Sequence, residues 1–106
     1  MVPEVTVQEL QRELASPNPP TVIDVREGDE LQISRLPHFI HIPMMEIPNR
    51  LAELDPETDY AVLCRSGSRS ARVTAYLLQS NFKRVRNVVG GINAWAAHID
   101  TTLPQY

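Results

Sequence analysis

Two short runs, Thr21-Val22-Ile23-Asp24-Val25 and Tyr60-Ala61-Val62-Leu63-Cys64, constrain the fold more than any other feature of the chain. Both are almost continuously apolar instead of alternating, the pattern of strands covered on two faces in a parallel sheet. Each follows a breaker cluster, Ser16-Pro17-Asn18-Pro19-Pro20 before the first and Asp55-Pro56-Glu57-Thr58-Asp59 before the second. Phe39-Ile40-His41-Ile42 and Val85-Arg86-Asn87-Val88-Val89 are weaker strand candidates. Helical patterns lie between them. Thr6-Val7-Gln8-Glu9 has the form of a capping box, followed by Val7, Leu10 and Leu14 at helical spacing. The spacing predicts a helix over Ile47 to Leu54 with Ile47, Leu51 and Leu54 inward, and another over Ser70 to Gln79 with Val73, Tyr76, Leu77 and then Ser80 on one face. A last helix over Gly91 to Ile99 turns Ile92, Trp95 and Ile99 inward. Strands alternating with helices imply an α/β fold, a mainly parallel central sheet with helices on both faces. In such sheets ligands bind at the carboxyl ends of the strands, and Cys64 ends one.

A chain of 106 residues is expected to form one domain, residues 1–106, with Asp100 to Tyr106 lying over its surface. The net charge of −3 and the absence of a basic stripe argue against a nucleic-acid partner. Lys83, Arg84 and Arg86 read as a solvated edge. Met1 to Leu10 carry two glutamates and no signal-like apolar stretch, and no apolar run is long enough to span a bilayer. A soluble, cytosolic monomer without cofactor is expected. His38, His41 and His98 show no metal-ligand spacing, and one cysteine allows neither an internal disulfide nor a cysteine zinc site, so no metal is expected.

A lone cysteine ending an apolar strand is, on general grounds, more often an inert core residue. The residues after it reverse that reading. Cys64-Arg65-Ser66-Gly67-Ser68-Arg69-Ser70 runs from a strand through a tight polar loop into a helix. Gly67 opens backbone conformations closed to other residues, so successive amides can point inward as an anion-binding nest. The helix start adds unpaired N–H groups, and Arg65 and Arg69 add positive charge. All of these favour thiolate over thiol. Asp24 and Arg26 leave a buried strand toward the same end of the sheet. They suit either a support, with Asp24 holding the loop or Arg69, or a plain strand-end ion pair. Gly90-Gly91 suits a close loop passage or a simple turn.

Four marks together resemble the rhodanese family over nearly the whole chain. They are Ile23-Asp24-Val25-Arg26-Glu27, Ile42-Pro43, Cys64-Arg65-Ser66-Gly67-Ser68-Arg69-Ser70-Ala71 and Gly90-Gly91-Ile92-Asn93-Ala94-Trp95. The resemblance implies a five-stranded parallel sheet and a six-residue active-site loop, Cys64 to Arg69. Cys64 would be nucleophile and carrier, with the loop amides and Arg65 and Arg69 binding the donor. Sulfur from thiosulfate or a persulfide would pass through a Cys64 persulfide to cyanide, a small thiol or a protein acceptor. A relay to a protein partner, with little small-molecule turnover, is the alternative. Cysteine phosphatases of related fold place an arginine after five intervening residues. Here four separate Cys64 from Arg69, and Ser70 stands where a phosphatase needs its arginine. The family's usual small residues before the third strand are replaced by His38 and Phe39. The closing stretch from Trp95 to Leu103-Pro104-Gln105-Tyr106 is similar to the rhodanese domains of adenylyltransferases that sulfurate ubiquitin-like carriers.

Overall fold

The structure, a computed structural model, describes residues 1–106. Five strands, β1 (Glu4–Val5), β2 (Thr21–Asp24), β3 (Ile40–His41), β4 (Asp59–Leu63) and β5 (Arg84–Val88), form one sheet in the order β1-β5-β4-β2-β3. Every pairing is parallel. The apolar runs take the centre, where β4 is bonded on both sides, Ile23 opposite Val62 and Val62 opposite Asn87.

Alternate residues of these strands feed two separate cores. Ile23, Val25, Tyr60, Val62, Cys64 and Val85 pack on one face beneath α2 (Ser68–Gln79), whose Val73 and Leu77 complete that core. Val5, Val22, Ala61, Leu63 and Val88 pack on the other with Val7 and Leu10 of α1 (Val7–Leu14) and Ile92 and Trp95 of α3 (Gly91–His98). Period-two side-chain alternation therefore supplies both layers from strands that look uniformly apolar in sequence. The capping box forms as the spacing predicts: the Thr6 hydroxyl accepts from the Glu9 amide at 3.1 Å, and the Glu9 carboxylate from the Thr6 amide at 2.9 Å.

Three local expectations are corrected. The stretch read as a helix over Ile47 to Leu54 is a 3-10 run, Met44–Glu53, broken at Arg50 (φ −123°, ψ 16°). Pro48 within it has no N–H to donate and disfavours α conformation in the residue before it. Ile47 and Leu54 are still buried. Tyr76, expected inward, is 37% exposed, and its place toward the core is taken by Thr74, whose hydroxyl donates to the Ser70 carbonyl at 2.8 Å. The strand read over Phe39 to Ile42 shrinks to two residues at the sheet edge.

Candidate active site

The loop after β4 is shaped by what holds its carbonyls. The amide of Ile92 donates to the Cys64 carbonyl at 2.9 Å and that of Asn93 to the Arg65 carbonyl at 3.1 Å. The Gly67 carbonyl accepts from the Ala71 amide at 3.1 Å and from Asn87 Nδ2 at 3.2 Å. With these oxygens tied to α3, α2 and β5, the amides of Gly67, Ser66 and Ser70 are left to face the Cys64 sulfur. Those of Arg65, Ser66, Ser68, Arg69 and Ser70 donate to no backbone carbonyl. Two glycines permit this. Gly67 has φ +111°, and Gly91 has φ +61° with its Cα so close that an added Cβ would overlap the Cys64 and Arg65 carbonyl oxygens. Gly90-Gly91 is thus a close passage beneath the loop, not only a turn.

Cys64 sits on the floor of this loop, 1% exposed. The Gly67 amide donates to its Sγ at 3.1 Å, and Ser70 Oγ lies 3.2 Å away. Ser70 in turn donates to Asn87 Oδ1 at 2.5 Å. Because Oδ1 only accepts, the neutral thiol gives its proton to Ser70 Oγ, and on ionisation the hydroxyl proton can turn to sulfur. Burial pushes the thiol pKa up. The Ser70 hydroxyl and the amides of Ser70, Gly67 and Ser66 outweigh it and hold the pKa below the ordinary thiol value.

The rim differs from the sequence expectation. Both terminal nitrogens of Arg69 are bound to Glu30, at 2.7 Å and 2.9 Å, so this arginine is not a free donor-binding charge. Hydrogen bonds from Arg69 lower the Glu30 pKa to about 2 against a smaller opposing effect of burial, with Tyr106 and the Glu27 amide assisting. The Tyr106 hydroxyl donates to Glu30 at 2.5 Å, and the Arg65 guanidinium lies 4.8 Å from the centre of the Tyr106 ring. Asn93 holds the Tyr106 backbone at both its N–H and its carbonyl. The carboxylate of Asp24 meets neither the loop nor Arg69. It is paired with Arg26, both fully buried, and Arg26 also donates to the Ser34 carbonyl at 2.8 Å and to the Tyr106 hydroxyl at 3.1 Å. The strand-end ion pair is the reading that holds. Glu30, Asn87 and Tyr106 escaped sequence reasoning. Each lies beside a signal that was read for another purpose: Glu30 three residues past the Asp-Val-Arg-Glu mark, Asn87 within a strand candidate and Tyr106 at the end of the closing stretch.

A parallel α/β sheet that presents one cysteine in an amide-lined loop defines a site for cysteine-borne group transfer on an anion. Comparison with known proteins narrows the class. The Rhodanese-like domain family matches residues 6–98, and the chain belongs to that family. A sulfurtransferase of Allochromatium vinosum is 38% identical over 98 residues, 92% of each chain. The adenylyltransferase and sulfurtransferase MOCS3 of Bos taurus is 33% identical over 96% of this chain, which spans 27% of that protein. The crystal structure of a rhodanese-like domain protein from Staphylococcus aureus superposes with a TM-score of 0.85 at 32% identity, covering 98% of both chains. Sulfur transfer is the activity class this likeness supports, and the five-stranded parallel sheet agrees with it.

Proposed function

We propose that the chain moves a sulfane sulfur from thiosulfate or a persulfide to a thiophilic acceptor through a persulfide on Cys64. The observation that carries this reading is the set of inward-facing amides around a buried thiol whose pKa is held down. Thiolate Cys64 attacks the outer sulfur of thiosulfate. The Cys64 S–S bond forms as the donor's S–S bond breaks, and the electron pair leaves with sulfite. The negative charge passes to the outer sulfur of the persulfide, toward the amides of Arg65 to Arg69. Hydrogen bonds to charged groups contribute about 1.5–3 kcal/mol each. Cyanide or a thiolate then takes that sulfur, and Cys64 is returned as thiolate. A thiolate formed before the donor arrives needs no general base.

The alternative, delivery to a protein partner with little small-molecule turnover, draws support from the rim. Arg69 is neutralised by Glu30, and Arg65 alone keeps a guanidinium with no carboxylate partner at the loop mouth. The similarity to MOCS3 points the same way. Thiocyanate formation from thiosulfate and cyanide, measured on the native chain and on Cys64→Ser, tests the enzyme reading. Turnover that vanishes in the variant supports it. A folded native protein without turnover removes thiosulfate and leaves the relay.

A further inference from the structure

Resting on that reading, we infer that Glu30 is a specificity-determining residue that turns the site away from small dianionic donors and toward the singly charged sulfur of a thiol persulfide. Three observations lead there. Glu30 occupies both ends of the guanidinium of Arg69, the last residue of the loop, in a bidentate pair whose side chains are only 26% and 16% exposed. Tyr106 reinforces it by donating to the Glu30 carboxylate while its ring lies against Arg65. Arg26, which also reaches Tyr106, has its own charge spent on Asp24. The cluster therefore places one carboxylate beside a loop that must attract an anion, and cancels one of the loop's two cations.

The electrostatic consequence depends on the donor. Thiosulfate brings two negative charges to the mouth, and loading puts sulfite beside a newly charged outer sulfur. A persulfide attacked at its outer sulfur brings one charge or none and releases a single thiolate. The carboxylate at Glu30 opposes the first about twice as strongly as the second, because the interaction scales with donor charge. Glu30 acts by its charge at the loop mouth, partly by cancelling that of Arg69, and touches none of the reacting atoms, so it is a positioning and screening residue, not a catalytic one.

The test is Glu30→Gln, which keeps the shape and can still accept one hydrogen bond from Arg69. In a double-displacement assay kcat/KM for the donor reports the loading half-reaction alone. For thiosulfate it is expected to rise about ten-fold, the order for removing a unit charge close to a dianion in a partly solvated site. It should also become more steeply dependent on ionic strength. For mercaptoethanol persulfide the change should stay within about three-fold by the same scaling. Because the carboxylate's own charge is what is removed, the thiosulfate gain should persist when E30Q/R69Q is compared with R69Q. A merely structural role predicts loss for both donors, and a gain cannot come from damage. An unchanged or reduced thiosulfate kcat/KM in a folded E30Q protein, or equal gains for both donors, overturns the inference. Failure of the native protein to load sulfur from either donor would instead overturn the underlying sulfur-transfer reading.

Discussion

Replacing Ser70 by alanine removes the one side-chain donor within reach of Cys64 Sγ and leaves the Gly67 and neighbouring amides in place. A hydrogen bond to a charged group is worth about 1.5–3 kcal/mol. Ser70 shares its single proton with Asn87 Oδ1, so the lower end applies, about a ten-fold smaller thiolate fraction at any pH below the midpoint. A more basic thiolate is also a better nucleophile, with a Brønsted slope of about 0.4–0.5 that returns roughly three-fold of this loss. Iodoacetamide alkylation across pH should then show a crossing of two profiles. Ser70→Ala reacts about three-fold more slowly at low pH, where ionisation limits, and about three-fold faster above both midpoints. The midpoint itself moves up. Profiles that superpose, or a midpoint that moves down, would refute the assignment of Ser70 as a thiolate donor. The same change strips Asn87 Oδ1 of its donor in a nearly buried position, so a loss of about 1–3 kcal/mol in stability should accompany it.

Three further outcomes follow from the geometry. Gly91→Ala adds a Cβ against the Cys64 and Arg65 carbonyls at φ +61°, which strains the backbone by about 1–2 kcal/mol and breaks two loop-holding bonds, so urea unfolding should show a loss of at least about 3 kcal/mol with slower alkylation of Cys64. Arg26→Ala abandons the fully buried Asp24 carboxylate, and the same assay should register about 3–5 kcal/mol. Glu30, whose pKa falls from 4.5 to about 2 on folding, stabilises the folded state above its unfolded pKa and loses that contribution as pH drops from about 4.5 toward 2. Acid unfolding of Glu30→Gln should therefore slope less steeply across that window, by about 1–2 kcal/mol in total after screening by solvent.

How much of this was legible in the sequence depended on the range of the interaction. The central strands, the capping box at Thr6 and the loop from Cys64 to Arg69 are signals carried by neighbours, and each was read where it lies. Pro48 and Arg50 were visible too, but hydrophobic spacing at Ile47, Leu51 and Leu54 fits a broken 3-10 run as well as an α-helix. Tyr76 and Thr74 sit two positions apart on α2, and spacing alone favoured the larger apolar ring. The chemistry of the rim was out of reach. Arg69 finds Glu30 across 39 residues, Ser70 finds Asn87 across 17, and Glu30 finds Tyr106 across 76. Such pairs exist only once the β4 loop, the end of β5, the turn after β2 and the chain terminus converge at one end of the sheet. The sequence likewise offered two arginines as donor-binding charges, whereas folding leaves one of them neutralised.

The most direct test of the central claim is the intact mass of the protein after brief exposure to thiosulfate, or to mercaptoethanol persulfide, followed by removal of the donor. The account predicts a gain of one sulfur atom, located on the peptide carrying Cys64, reversed by cyanide with release of thiocyanate and absent in Cys64→Ser. A folded native protein that gains no sulfur from either donor, or gains it equally in the variant, would contradict it.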